Sequence, residues 1–359
     1  MPATLTARRL LGAALACGVA ALALPAGASA AFGDVQVLAP FPDNPGFPEG
    51  IAVRNGRVYT AGAATFGTAG KPPSAVLVHS RATGALIKRF DTVGENLAFE
   101  HANSSIAFDG QGRLYVLNTQ LGVYRLNVTT GTQTSYAPPF PDLPACGQPA
   151  VPPCSPTPFD APALPNDIAF GPDGDAFVSD SLQATIWRVP RGGGTPRIWR
   201  QDSRFASFGI GVNGLRFDRT STRMFVTVTA DLEGKASVYS MWRLPFLPAF
   251  GPLKLEHSFA PGEAPDGIAF GRQGDLYVAM ADPVKPGVMI LRPNGTIKAQ
   301  LTNPPNSPTV PYDGPANIAF DGSGHILVTN HAPVTGGPFS ILDVDVKDKG
   351  WPLFTPLIP

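Results

Sequence analysis

Six short copies of one pattern carry an oxygen-bearing side chain at a matching place. The copies begin at Pro48, Ala102, Pro165, Val212, Pro265 and Ala316, and the residues in that slot read as Glu49, Asn103, Asn166, Asn213, Asp266 and Asn317. The fifth copy, PDGIAFGRQGDLYVA from Pro265 to Ala279, shows the pattern most clearly. If the six slots face one point, they offer carboxylate and amide oxygens there. Ca²⁺ takes about six to eight oxygen ligands of this kind, whereas Zn²⁺ favours His and Cys, which the set lacks. Mg²⁺ fits a ring of side chains less well, because it keeps much of its water. Taken singly, Asn or Asp at the start of a strand is accounted for by turn capping. Glu is no turn residue, so Glu49 is the member that turns a repeat into a candidate site.

The element that must position the slot is a strand, a polar Gly-containing turn and a second strand, as in Gly267–Phe270, Gly271–Asp275 and Leu276–Ala279. Two further alternating apolar runs follow most copies. After the fifth they are Gly287–Leu291 and Thr296–Leu301, split by Pro293-Asn294-Gly295. Four short strands in each repeat of roughly 50 residues predict a β-propeller blade, and six repeats predict a six-bladed all-β propeller. The last repeat supplies three strands before the C-terminus. Val35–Leu38 is expected to complete that blade and close the ring. The innermost strand of each blade then lines the central channel, which brings the six slots together around one axis.

The chain has 359 residues, 43% of them hydrophobic, ample for a core of this size. Lys plus Arg and Asp plus Glu both number 27, so net charge gives no reason to expect a nucleic-acid partner. The 39 Gly and 40 Pro lie between apolar β-type runs, which reads as many turns rather than as disorder. Residues 1–30 read as a signal peptide: Arg8-Arg9, an apolar run from Leu10 to Leu24, and Ala28-Ser29-Ala30 as a cleavage signal. Both a twin-arginine and a general secretory route suit this segment. Residues 31–359 are then a single propeller domain, secreted or periplasmic, with no membrane segment after cleavage and monomeric. Cys17 falls inside the apolar run. The other two cysteines, Cys146 and Cys154, lie in a Pro-rich insertion at 137–164, and export favours a local disulfide between them. No G-x-S-x-G element offers a serine-hydrolase nucleophile.

The unit P-E/D/N-G-I-A-F…G-x-L-Y-V resembles the senescence-marker-protein, gluconolactonase and luciferin-regenerating-enzyme family of six-bladed propellers. The diisopropylfluorophosphatases and paraoxonases are more distant relatives in pattern. The resemblance spans Asp34 to Val346. That family places Glu in blade one, Asn in blades three and four, and Asp in blade five around a catalytic Ca²⁺; Glu49, Asn166, Asn213 and Asp266 match these positions. The resemblance implies Ca²⁺-assisted hydrolysis of a lactone or other ester, with a small molecule as substrate and Asp266 as base or nucleophile. His101, two residues before the blade-two slot, is the other candidate for that role; a blade-two His serves broadly so in paraoxonases, although the surrounding pattern differs. Asn103, Asn317 and His331 are expected to line the channel. His79, His257 and His325 occupy outer or mid-blade positions and read as structural. Two other readings stay open: a non-catalytic propeller that binds a ligand or protein around a structural metal, and a metal-free enzyme like strictosidine synthase.

Overall fold

In the computed structural model, residues 1, 31–147, 149–242, 251–305, 310–333 and 335–359 are described. Residues 2–30 of the proposed signal peptide, with Cys17, lie outside them. The described residues from Phe32 to Pro359 form one compact unit of six four-stranded antiparallel sheets. Five sheets use four consecutive strands, and the sixth is closed by the N-terminal strand Val35–Pro40 beside Ser340–Asp345. The expected completion of the last blade is therefore observed. It pairs both ends of the propeller in one sheet and leaves no open seam edge.

The inner strands are Ile51–Arg54, Asn103–Phe108, Pro165–Phe170, Val212–Phe217, Pro265–Phe270 and Pro315–Phe320. Each packs against the inner strands of its two neighbours, and blade six meets blade one.

A physical reason for the repeated I-A-F and L-Y-V runs lies between blades. The Phe that ends an inner strand receives, edge-on, the aromatic ring of the preceding blade's second strand. The pairs are Tyr59–Phe108, Tyr115–Phe170, Phe177–Phe217, Phe225–Phe270 and Tyr277–Phe320, with centroids 4.9–5.3 Å apart and rings 74–84° to each other. Such pairs contribute about 0.5–1.5 kcal/mol each beyond their area. At the closing interface the repeat carries Leu327 and Val53 instead, inside an aliphatic cluster with Ile51, Val58 and Ile341.

The 137–164 insertion is not a loose loop. Phe140 and Leu143 pack with Trp187 of blade three, and Cys146 and Cys154 are joined with Cα atoms 4.9 Å apart. At the other end of the molecule the C-terminal tail crosses beneath the ring. Trp351 N donates to Phe270 O, Gly110 N to Pro356 O, and Ile358 is buried between blades two and three.

Replacing Tyr59 by Leu, the residue type that blade six carries at this place, removes one edge-on ring and is expected to cost about 1–3 kcal/mol in urea unfolding. His79 is buried in the third strand of blade one, and burial lowers its pKa from 6.5 to about 4. It is neutral when folded, so its contribution is intact above pH 6.5 and is lost as the unfolded chain gains the proton first on acidification. His79→Leu is therefore expected to flatten the fall of Tm between pH 6.5 and 4, by on the order of 2 kcal/mol at the acid end.

Candidate functional site

A shared irregularity aims the slot. In five of the inner strands the cross-strand register breaks just after the first residue; it resumes at Ile168↔Val178, Leu215↔Val226, Ile268↔Val278 and Ile318↔Val328, and in blade two one residue earlier, at Ser105↔Leu117, ahead of the equivalent pair Ile106↔Val116. In blade one the same point is Ile51↔Thr60. Such a bulge re-aims the side chains within it. The residue two places before this Ile or Leu is Glu49, Ser104, Asn166, Asn213, Asp266 or Ala316 in the six blades.

This register corrects two sequence assignments. Asn103 lies one residue too early and is fully buried, donating from Nδ2 to Thr92 Oγ1 (2.8 Å) and accepting at Oδ1 from Asn118 Nδ2 (2.9 Å). It belongs to the packing behind the channel, not to its lining. Asn317 lies one residue too late, a layer further along the axis. Its Oδ1 accepts from Ile318 N (2.9 Å) and from Arg216 Nη2 (3.4 Å).

Hydroxyl groups tie the strand starts from blade to blade. Thr329 Oγ1 donates to Glu49 O (2.9 Å), Ser104 Oγ to Pro165 O (2.7 Å), Ser181 Oγ to Val212 O (2.7 Å) and Thr227 Oγ1 to Asp266 O (2.7 Å). The four expected ligands, Glu49, Asn166, Asn213 and Asp266, thus sit on anchored backbone.

Asn213 donates from Nδ2 to Thr229 Oγ1 (3.0 Å), which leaves its Oδ1 buried without a partner. Asp266 Oδ1 is buried and unpartnered too, as is His331 Nε2. His331 Nε2 lies 2.6 Å from Glu49 Oε2, but off the line that a hydrogen bond needs, so the contact is a close approach of unsatisfied atoms. Burial raises the Glu49 carboxyl well above its usual range, with the Asp167 charge adding to it. Burial likewise raises Asp266, helped by the Glu49 charge. Burial lowers His331, partly offset by Asp266, and keeps it neutral. Phe47 closes over His331, ring centroids 6.3 Å apart and nearly perpendicular.

Buried polar atoms without partners are costly, and a buried carboxylate pair more so. Three orphaned atoms beside two repelling carboxyls form an environment that a cation would relieve. Among the described residues no three His, Cys, Asp or Glu side chains gather as a ready-made metal cage. A cation here must draw on the amide oxygens of Asn166 and Asn213 as well, a donor set that suits Ca²⁺ and not Zn²⁺.

His101 stands apart from this group. Its Nδ1 faces Phe99 O (2.9 Å) and its Nε2 faces Pro72 O (3.1 Å), so both ring nitrogens are engaged with loop backbone and the ring is buried. His331, expected only to line the channel, is the histidine that meets the carboxylates.

Two residues were missed from sequence. Asp167 and Arg216 form a buried ion pair of 2.6 Å one layer below the slot. Asp167 also accepts from Ser105 Oγ (2.7 Å) and Leu215 N (2.9 Å). The Arg216 guanidinium reaches both Asp167 of blade three and Asn317 of blade six, so it crosses the channel. A signal existed: five copies carry Ala at this place (Ala52, Ala107, Ala169, Ala269, Ala319) and blade four alone carries Arg.

No protein-family model matches the chain, and no curated protein sequence matches it. Solved structures do match. A gluconolactonase from Xanthomonas campestris aligns at 16% identity over 86% of this chain and 89% of its own, with a TM-score of 0.55. Regucalcin from Agrobacterium tumefaciens, described as a calcium-binding protein, aligns at 14% over 87% and 93%, TM-score 0.58. A luciferin-regenerating enzyme aligns at 13% over 90% and 99%, TM-score 0.60. A PQQ-bound aldose sugar dehydrogenase and a virginiamycin B lyase fit comparably, so the likeness is one of architecture, which hosts several chemistries. The chain shares its propeller fold with the gluconolactonase, regucalcin and luciferin-regenerating-enzyme structures.

Proposed function

We propose that the chain is an exported, Ca²⁺-dependent hydrolase of lactones or related esters. The observation that carries this reading is the set of buried, unpartnered atoms Asn213 Oδ1, Asp266 Oδ1 and His331 Nε2 beside the raised Glu49 carboxyl. Glu49, Asn166, Asn213 and Asp266 would hold the ion, the last three carried on the bulged starts of inner strands and Glu49 just ahead of the blade-one strand. Bound there, Ca²⁺ would supply Lewis-acid polarisation of the substrate carbonyl and charge stabilisation of the oxyanion. The gluconolactonase and regucalcin likenesses support the same choice of chemistry.

The chain's own groups would perform the remaining work. His331, held neutral by burial, takes the proton of the attacking water. Asp266 is the alternative acceptor, but a carboxylate that also holds a cation is a weak base. Phe47 screens the imidazole from bulk water on one side. Residues 1–30 would direct export, and the Cys146–Cys154 pair suits an oxidising compartment. A propeller that binds a ligand around a structural ion would use the same four ligands, so activity decides between the two readings.

Hydrolysis of a panel of aliphatic lactones and aryl esters is expected to stop on chelation and return with added Ca²⁺. A panel with no chelator-sensitive turnover would leave the non-catalytic reading standing. Asp266→Asn keeps an oxygen but loses a charge. It is expected to weaken Ca²⁺ binding at least about tenfold by calorimetry and to raise the Tm of the metal-free protein by relieving like-charge repulsion. His331→Gln is expected to lower kcat by about 10²–10⁴-fold with Ca²⁺ affinity little changed. An unaltered kcat in that variant would return the role to Asp266.

A further inference from the structure

The opposite end of the channel holds a cavity of about 510 Å³, a volume within the range of about 300–1,000 Å³ usual for small-molecule sites. None of the proposed metal ligands lines it. Its lining begins at Arg216, whose guanidinium crosses the channel, and continues past the five alanines at the equivalent place in the other blades. Five methyl groups where longer side chains would meet leave an open apolar bore. The phenylalanines that end the inner strands form the next layer, and the tail from Lys349 to Thr355 crosses the outer mouth.

The charges of this lining do not balance. Its two acids each meet a cation that also serves a second acid: Asp321 meets Arg81 at 2.7 Å, shared with Asp343, and Asp218 meets Arg223 at 3.6 Å, shared with Glu256. Arg216 is matched by Asp167. Arg54, Arg272 and Lys349 line the same cavity, and none of the ion pairs among the described residues includes them; Asp348, between the last two, accepts instead from the backbone at Arg272 N (2.9 Å) and Gly350 N (3.0 Å). Arg54 instead lies over the Phe108 ring, 5.4 Å from its centroid. An apolar bore with three cations near its mouth in no ion pair, against the single carboxylate of Asp348, is complementary to a molecule with an apolar body and an anionic end.

We propose that this cavity is a second binding site, separate from the Glu49–Asp266 site, for an amphipathic organic anion such as a medium-chain carboxylate. The apolar body enters the alanine-lined bore. The carboxylate stays at the rim, where Arg272 and Lys349 are exposed and Arg54 is half-buried. Charge complementarity selects an anion over a neutral or cationic chain of equal length, because all three chains bury the same apolar area and only the anion meets the unpaired cations.

The test is calorimetric titration of the full chain with decanoate, decanol and decylamine at low salt. Decanoate is expected to bind saturably and about tenfold more tightly than decanol, with decylamine weakest. The double variant Arg272→Ala/Lys349→Ala changes exposed side chains only; it is expected to bring decanoate down to the decanol affinity and to leave decanol unchanged. Ala269→Leu, which fills the bore, is expected to abolish both. Asp266→Asn is expected to leave decanoate binding intact. Equal affinity for decanoate and decanol, no effect of the charge variant, no saturable binding, or loss of decanoate binding in Asp266→Asn would each overturn the proposal. Only the last of these would assign the ligand to the upper site, and none of them bears on whether that site hydrolyses esters.

Discussion

Six side chains meet on one axis only if six blades repeat the same packing, and the edge-on aromatic contact between neighbouring blades is what repeats. A ring packed edge to face has a preferred centroid distance and tilt, so the contact transmits orientation as well as burial. Five interfaces keep that geometry within a few tenths of an ångström. The sixth, where the chain closes on itself, uses Leu327 and Val53. There the N-terminal strand supplies a backbone ladder to the last blade, interrupted at Leu38, and hydrogen bonds hold the ring where the aromatic pair is missing.

On that frame the channel carries a graded electrostatic arrangement. At one end lie two carboxyls and a histidine, all pushed toward their neutral forms by burial. One layer below, Asp167 has its own cation in Arg216 at 2.6 Å. A buried ion pair is a poor source of net stability, since desolvation consumes most of the attraction, but breaking one leaves an expensive lone charge. The pair is better understood as a partition. It neutralises Asp167, places a planar cationic group across the channel, and divides an acidic end from an apolar end rimmed by unpaired cations.

The tail gives this division a floor. Donors from blades two and three reach its backbone carbonyls, Arg113 to Ile358 O and Arg191 to Leu357 O, its own Trp351 N donates to Phe270 O of blade five, and it is anchored by the buried Ile358. A Pro-rich strand with few donors of its own can lie across other strands without extending any sheet. Its sequence, KGWPLFTPLIP, offers no repeat and no period, and its place under the ring could not be read from it.

The sequence by itself determined the architecture. Alternation with period two and Gly-containing turns are local signals, and their recurrence in six copies sets blade number and the need for a closing N-terminal strand. It also located Glu49, Asn166, Asn213 and Asp266 on equivalent positions, because those copies align without an insertion. What it left undecided followed from contacts between distant residues. Asn103 and Asn317 sit beside the slot by one residue in opposite directions, and one residue of register in a strand reverses the face to which a side chain points. Only the cross-strand pairing around the bulge shows which face that is. By sequence His101 was the catalytic candidate and His331 a residue lining the channel. The fold turned one toward loop carbonyls and set the other 2.6 Å from Glu49, 282 positions away in the chain. Partnership between charges, for Arg216 and Asp167 as for His331 and Glu49, depends on distance in space, and only closure of the ring brought those distances about.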